Sequence, residues 1–164
     1  DRTRPATVRE HAVFWLGQSD HDDAAEFLMG LYKRDDERAI REKIIFSIAQ
    51  LDADDERVSQ FLVDIALDAN EDLEMRKQAL FWAGEEEQIN VAELERFYTT
   101  VDDRELRQQV IFVLSQRDED AAVDALIGIA RKEKDVELRK QAIFWLGETD
   151  SERAYDFIEE LLDQ

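Results

Sequence analysis

Residues that could do chemistry are scarce in this sequence. Histidine occurs only as His11 and His21, and cysteine is absent. The absence of cysteine excludes disulfides and thiolate metal sites. The sequence also has no Gly-rich phosphate loop and no Gly-x-Ser-x-Gly nucleophile elbow. We therefore predict no catalytic residue, no metal centre and no cofactor.

Carboxylates are the one abundant reactive group. The clusters at 52–55 and 85–87 could hold Ca²⁺ weakly, but they lack the spacing of an EF-hand loop and are typical of solvated turns. The 41 acidic and 21 basic residues give a net charge of −20. This charge repels phosphate backbones and anionic lipids, so neither nucleic acid nor a membrane is predicted as a partner.

Repeated helices are the elements that must position these side chains. A ten-residue pattern, seen clearly from Leu138 to Gly147, occurs five times, with a Phe roughly every 31 to 35 residues. This period is that of two-helix solenoid units. We predict an all-α fold in which residues 1–164 form one domain of five two-helix repeats. The approximate repeat bounds are 5–34, 35–69, 70–100, 101–133 and 134–164.

Each repeat is expected to contain a helix A, a polar turn and a helix B. Helix A is predicted at 5–18, 36–51, 71–86, 102–117 and 134–149, beginning at Pro5, Glu37, Asp72, Asp103 and Asp135, because Asp is a good N-cap and Pro suits a first turn. A small residue near the end of helix A lets a neighbouring helix approach, as at Gly17 and Gly147. The turn at 85–90 is irregular, which predicts a local change of superhelical twist.

The pattern resembles a known repeat family. Apolar-Arg-x-x-Ala-apolar-x-x-Leu-Gly, followed by a turn and by Glu152-Arg153-Ala154, is similar to the HEAT-like repeats of bacterial proteins over practically the whole chain. The resemblance implies an armadillo-like α-solenoid, a right-handed α-α superhelix. The family includes scaffolds, adaptors and a few enzymes. One enzyme class binds di-iron through repeated His-Glu pairs, whereas Glu10-His11 is in reversed order and occurs once, so no such metal site is expected.

An Arg occupies the second position of every copy of the pattern. On a helical wheel with Phe144 at 0°, Arg139 falls at about 220°, inside the apolar arc. A charge in that place must be paired. We predict a structural ion-pair column, and the resemblance implies that it bridges to acidic groups of adjacent repeats. Its members are Arg9, Arg41, Arg76, Arg107 and Arg139.

A Phe recurs where the wheel otherwise carries polar residues, and two interpretations stay open. The Phe side chains form either a packed spine or a ladder that binds a partner on the concave face, which the equivalent helix lines in HEAT-like proteins. The candidate partner-binding residues are Phe14, Phe46, Phe81, Phe112 and Phe144 with two flanking columns, Glu10, Glu42, Lys77, Gln108, Lys140 and Gln18, Gln50, Glu85, Gln116, Glu148. The neighbouring Trp15, Trp82 and Trp145 are predicted to be inter-repeat core.

The leading functional hypothesis is a non-enzymatic interaction scaffold or adaptor that binds a basic or amphipathic segment of a partner protein on its concave face. Aromatic rings would anchor the segment and carboxylates would steer it. The alternative is a HEAT-like enzyme or enzyme-assisting subunit of the bilin-lyase or hydroxylase type, which needs a deep pocket with perturbed ionisable groups.

A third hypothesis is that the chain is a fragment of a longer array. The last helix lacks an obvious polar cap, and the outermost face of an array must be polar to stay soluble. Self-association through uncapped terminal helices is therefore also expected. The chain begins near a repeat boundary without Met, so localisation is left open.

Overall fold

The computed structural model describes residues 4–19, 21, 23–51, 56–85 and 89–163. Within these ranges the regular elements are ten α-helices, and no β-strand occurs. The helices are α1 (Ala6–Gly17), α2 (Ala24–Arg34), α3 (Arg38–Ala49), α4 (Glu56–Leu67), α5 (Leu73–Glu85), α6 (Val91–Thr100), α7 (Arg104–Ser115), α8 (Asp120–Lys132), α9 (Val136–Glu148) and α10 (Glu152–Leu162).

The predicted all-α fold of paired helices is confirmed. The odd-numbered helices are the predicted A helices, and each begins and ends within about two residues of its predicted bounds, an error normal for helix ends. The even-numbered helices are the B helices. Among the residues described, no helix combines the length and the apolar composition that crossing a membrane requires.

Capping explains where three of the A helices begin. Asp103 and Asp135 each accept hydrogen bonds from the second and third backbone N–H groups that follow, at 2.9 and 3.1 Å and at 2.9 and 3.2 Å. Asp72 accepts the corresponding bonds at 2.9 and 3.4 Å. Pro5 and Glu37 precede α1 and α3 without a side-chain cap bond. The sequence therefore predicted the cap chemistry correctly at its Asp positions.

The helices group into two compact units, Asp1–Gln88 and Ile89–Gln164. In the first unit, α3 packs against α1, α2, α4 and α5, and α4 also packs against α5. The core of this unit is apolar. Leu28, Ile44, Leu62 and Leu80, from α2 to α5, are fully buried, and α1 contributes the buried Val13. Helix α3 is therefore the central element of the first unit.

In the second unit, α7 packs against α6, α8 and α9, while α10 packs against α8 and α9. Leu94, Leu106, Ile111 and Leu126 are among its fully buried apolar side chains. The boundary between the units falls in the third repeat, between α5 and α6. Residues 86–88 of the irregular turn, where the sequence predicts a change of twist, lie outside the described residues.

Gly17 is the point of closest approach between α1 and α3. A Cβ added there would lie 2.5 Å from Ser47 Cβ and 2.6 Å from Ser47 O, so only Gly fits. At Gly147 the nearest atom is Ile158 Cδ1 at 3.9 Å, an ordinary contact distance. Close approach through a small residue therefore occurs at Gly17, and its prediction at Gly147 is wrong, because the described residues contain no A helix after α9 that could approach it as α3 approaches α1.

Candidate functional site

Aromatic rings from consecutive A helices contact one another in the first unit. The Phe14 ring stacks on the Phe46 ring, with centroids 6.4 Å apart and planes 14° from parallel. Trp15 contacts Phe14 edge-on at 5.4 Å. Trp82 contacts Phe46 edge-on at 5.7 Å and Phe81 at 5.0 Å. These five rings are called the first aromatic row below.

The residue after the Phe differs along this row, and the ring contact between repeats differs with it. Ser47 follows Phe46 and is small enough for the Phe14 and Phe46 rings to stack directly. In the third repeat the same place holds Trp82, whose indole fills the space beside the preceding Phe46. The row is therefore continuous across α1, α3 and α5.

The first aromatic row is partly open to solvent. Phe14, Phe46, Phe81 and Trp82 are half-buried, whereas Trp15 is 67% exposed. Trp82 packs on the Phe of the preceding repeat, as predicted for an inter-repeat side chain, but for Trp15 that prediction is wrong. The reason is that no repeat precedes α1 in the part of the chain that the structure describes, so Trp15 has no preceding Phe on which to pack.

A shorter row lies in the second unit. Trp145 contacts Phe112 edge-on at 5.6 Å and Phe144 at 5.1 Å, and these three rings are called the second aromatic row. Phe112 and Trp145 are half-buried, and Phe144 is 57% exposed. The buried Nε1 of Trp145 has no hydrogen-bond partner among the described residues. Both rows thus show ring-to-ring packing, which the interpretation as a packed spine predicts. Each row also has an exposed ring, which the interpretation as a partner-binding ladder predicts.

Half of the six charged members of the flanking columns are neutralised within their own helices. Three of them pair with a residue one turn away: Glu42 with Arg38 at 2.8 Å, Lys77 with Glu74 at 3.1 Å and Lys140 with Glu137 at 2.9 Å. Glu10 and Gln108 are half-buried, and the exposed members are Gln18, Gln50, Glu85, Gln116, Lys140 and Glu148. Long polar side chains therefore surround both rows without a single dominant charge.

Lys43 lies against the first aromatic row and was missed by the sequence analysis. Its Nζ is 5.2 Å from the centroid of the Phe46 ring and 6.0 Å from that of Phe14. Both distances are within the range of a cation–π contact. The available signal was its position three residues before Phe46, which places both side chains on one helix face.

The Arg column of the first unit reaches the turn that precedes the next A helix. Arg9 pairs with Asp35, and its Nη1 donates to Glu37 at 2.6 Å. Arg41 Nη2 donates to Glu71 at 2.5 Å. Asp35 and Glu37 precede α3, and Glu71 precedes α5, so each Arg joins its own repeat to the following one.

Three Arg residues of the column also form a hydrogen bond to the repeat that precedes their own. The Nε of the Arg donates to a main-chain carbonyl at or near the end of the previous B helix, where carbonyls lack partners within the helix. This bond joins Arg76 to Ala66 at 3.2 Å, Arg107 to Val101 at 2.8 Å and Arg139 to Glu133 at 3.0 Å. Arg76 is buried, whereas Arg139 is exposed.

Tyr32 completes the Arg41–Glu71 pair and was also missed. Its hydroxyl donates to Glu71 at 3.1 Å, and the Arg41 guanidinium lies 4.1 Å from the centroid of its ring. Burial alone would raise the pKa of Glu71, but hydrogen bonds from Arg41, the Asp72 N–H and Tyr32 hold that pKa below its usual range. Burial raises the pKa of Tyr32, and the nearby Glu71 charge adds to it, so the hydroxyl remains a donor.

The same arrangement occurs in the second unit. Tyr98 donates to Glu133 at 2.7 Å, Arg107 lies 3.7 Å from the same carboxylate, and its guanidinium is 5.5 Å from the Tyr98 ring centroid. Burial alone would raise the pKa of Glu133, but bonds from Tyr98 and from two backbone N–H groups, together with Arg107, lower it. Tyr32 and Tyr98 share a place near the end of helix B, and this recurrence was the signal that could have identified them.

The described residues offer little that could bind a metal or act as a catalyst. No group of three or more His, Asp or Glu side chains within those residues is arranged to hold a metal ion. His11 is exposed, and the Nδ1 of His21 accepts a bond from the backbone N–H of Asp23 at 3.3 Å. The acidic cluster at 52–55 and residues 86 and 87 of the second cluster lie outside the described residues.

Comparison with known proteins agrees with this architecture. The family model of HEAT repeats matches residues 2–82 and 92–164, which is most of the chain. The gap between the two matches contains the irregular turn of the third repeat. No curated protein matches the chain at a significant level of similarity. The repeated helix pairs and the family match lead to one conclusion, that the chain belongs to the HEAT repeat family.

Proposed function

We propose that the protein is a non-enzymatic scaffold or adaptor that binds a basic or amphipathic segment of a partner protein at its aromatic rows. HEAT repeats generally mediate protein–protein interactions, and their fold is typically a non-catalytic scaffold. The observation that carries the proposal is the partial exposure of both rows, with Trp15 67% and Phe144 57% exposed. Each row with its flanking polar residues is a separate candidate surface on its own unit.

The rows have the physical properties of anchor sites. Trp is enriched among the residues that contribute most to binding energy, and Phe is enriched in protein interfaces generally. Here the rings are already held by their neighbours, as in the Phe14–Phe46 stack, so little side-chain entropy remains to be lost on binding. The polar residues around them, such as Gln116 and Glu148, can form the hydrated rim that surrounds an interface.

The charge of the chain supports a basic partner. A net charge of −20 attracts basic segments at long range and raises their association rate, and it disfavours nucleic acid and anionic membranes. The attraction is screened by salt, with a Debye length of about 8 Å at physiological ionic strength. Binding is therefore expected to weaken as salt is added.

The alternative function is an enzyme or enzyme-assisting subunit of the bilin-lyase or hydroxylase type. A groove of about 720 Å³ between α1 and α2 has the size of a ligand site, and its lining includes Val8, Leu16, Phe27 and Leu31. The perturbed carboxylates Glu71 and Glu133 belong to Tyr–Arg–Glu clusters elsewhere in the chain. Saturable binding of a tetrapyrrole or of Fe²⁺ by the purified protein would favour this alternative.

The organisation of the chain as one five-repeat domain, or as part of a longer array, is likewise proposed. Val8 and Phe27 are exposed on α1 and α2, and Leu162 is exposed on α10. Exposed apolar side chains on outer helix faces favour self-association. A sedimentation coefficient that rises with protein concentration would support self-association through these side chains.

Selection from a random peptide library tests the proposed function. Peptides selected on the wild-type protein are expected to be rich in Arg, Lys and apolar residues. They are expected to lose binding to a Phe46→Ala/Phe112→Ala variant. Phe27→Ala is the matched control, because Phe27 is 54% exposed but lies outside both rows. Selection of acidic peptides, or equal loss of binding in the control, would contradict the proposal.

A further inference from the structure

We infer that the Phe14–Phe46 pair is a cation-binding subsite that Lys43 occupies in the free protein, and that an Arg or Lys side chain of the partner displaces Lys43 when it binds. This inference rests on the proposed function and specifies the chemistry of the ligand at one place in the first aromatic row. Lys43 then competes with the partner's Arg or Lys side chain for the Phe14–Phe46 pair.

The geometry identifies the pair as a cation site. The two rings stand nearly parallel, and the Lys43 ammonium lies 5.2 Å from one centroid and 6.0 Å from the other. The faces of aromatic rings are electronegative, so two neighbouring faces attract a cation more strongly than one. Among residues 4–19 and 23–51, Lys43 is the cation that the structure places against both rings.

The surroundings of the pair favour a cation over a neutral group. Glu10 lies one helical turn before Phe14 on α1, so the pair has a carboxylate on the helix face of one of its rings. Glu42 is engaged by Arg38, which leaves the Lys43 ammonium held chiefly by the rings. A partner Arg can replace this ammonium without leaving a buried charge unpaired, because Lys43 is only half-buried and can turn into solvent.

The flexibility of Lys43 suits it to be displaced. Lys43 contacts Phe46 on its own helix, α3, and Phe14 on α1. Among the described residues its ammonium forms no ion pair. A guanidinium stacks on an aromatic face with a larger planar area than an ammonium offers. The partner side chain that best replaces Lys43 is therefore Arg.

Two synthetic peptides test the inference, one that alternates Leu and Arg and a twin that carries the neutral isostere citrulline in place of Arg. Lys43→Ala is expected to tighten binding of the Arg peptide by about two- to fivefold, the range of an exposed cation–π contact. Lys33→Ala is the matched control, because Lys33 is exposed on α2 and its loss changes the net charge equally. The citrulline peptide is expected to gain nothing from Lys43→Ala.

A spectroscopic readout follows Lys43 itself. The ε-methylene protons of Lys43 are expected to be shifted upfield by the two rings in the free protein and to move downfield when the Arg peptide is added. An equal gain in Lys43→Ala and Lys33→Ala, an equal gain for both peptides, or ε-methylene protons that do not move would each overturn the inference.

Phe46→Leu separates this inference from the proposed function. If Arg-peptide binding depends on Phe46 but not on Lys43, the row binds the partner and the displacement of Lys43 is wrong. If Arg-peptide binding is absent, or is indifferent to Phe46 and Phe144, both proposals fail. If binding depends on Phe46 and the gain from Lys43→Ala disappears in the Lys43→Ala/Phe46→Leu double variant, the inference stands.

Discussion

Replacement of Gly17 by Ala tests how closely α1 packs on α3. The added Cβ would lie 2.5 Å from Ser47 Cβ, 2.6 Å from Ser47 O and 2.8 Å from Ser47 Cα. Two of these three atoms belong to the main chain, so no rotamer change can relieve the overlap and the helices must move apart. Forcing a methyl group into a packed site costs about 1–3 kcal/mol. The helix propensity of Ala offsets at most about 1 kcal/mol of that cost.

We therefore expect Gly17→Ala to lower the free energy of unfolding by about 1–3 kcal/mol in urea unfolding followed by circular dichroism. Gly30 is the matched control in the same unit, because its nearest neighbour is the flexible end of Arg34 at 3.9 Å. Gly30→Ala should raise stability by about 0.5–1 kcal/mol. If Gly17→Ala is as stable as the wild type, or gains as much as Gly30→Ala, the close packing of α1 on α3 is refuted.

Two further predictions concern the turns. The pKa of Glu71 is lower in the folded than in the unfolded chain, so its stabilising contribution is present above the ordinary value of 4.5 and is lost as the pH falls through the folded value. Glu71→Gln should make the loss of stability in acid less steep in urea unfolding between about pH 2 and 7, and an unchanged slope would contradict it. Asp103→Ala removes two cap bonds and should cost about 1 kcal/mol. Ser151→Ala should change little, because Ser151 precedes α10 without a side-chain cap bond, and equal losses in the two variants would count against the capping assignment.

The sequence predicted the helices well for a local reason. Helix A carries apolar side chains at helical spacing, and Asp72, Asp103 and Asp135 supply the N-caps, so the information needed lies within about fifteen residues. The fold class follows once that unit repeats five times.

Contacts between repeats were harder to predict, because they depend on neighbours that the repeat pattern does not specify. The pattern treats Trp15 and Trp82 alike, yet Trp82 has a preceding Phe ring to contact and Trp15 is exposed. It also treats Gly17 and Gly147 alike, although Gly17 meets the next A helix and the described residues contain no A helix after Gly147.

The partners of the Arg column show the same limit. The helical wheel places Arg41 among apolar residues, where a charge needs a partner, but each turn offers several carboxylates. Which carboxylate the Arg contacts depends on the conformation of the turn. In the structure Glu71 lies between Arg41 and Tyr32 and accepts a hydrogen bond from each. The role of Tyr32 could have been inferred only by comparing the repeats at the end of helix B.

The affinity of a library-selected basic peptide for two exposed-ring variants, Trp15→Ala and Phe144→Ala, tests the proposed function most directly. Both rings are more than half exposed, so their truncation should cost less than about 1 kcal/mol of stability, well below the 3–5 kcal/mol of a core aromatic. We predict that at least one of the variants, and the double variant in any case, binds the peptide about tenfold or more weakly, while Phe27→Ala binds as the wild type does. Wild-type affinity in the double variant, or an equal loss in Phe27→Ala, would contradict partner binding at the aromatic rows.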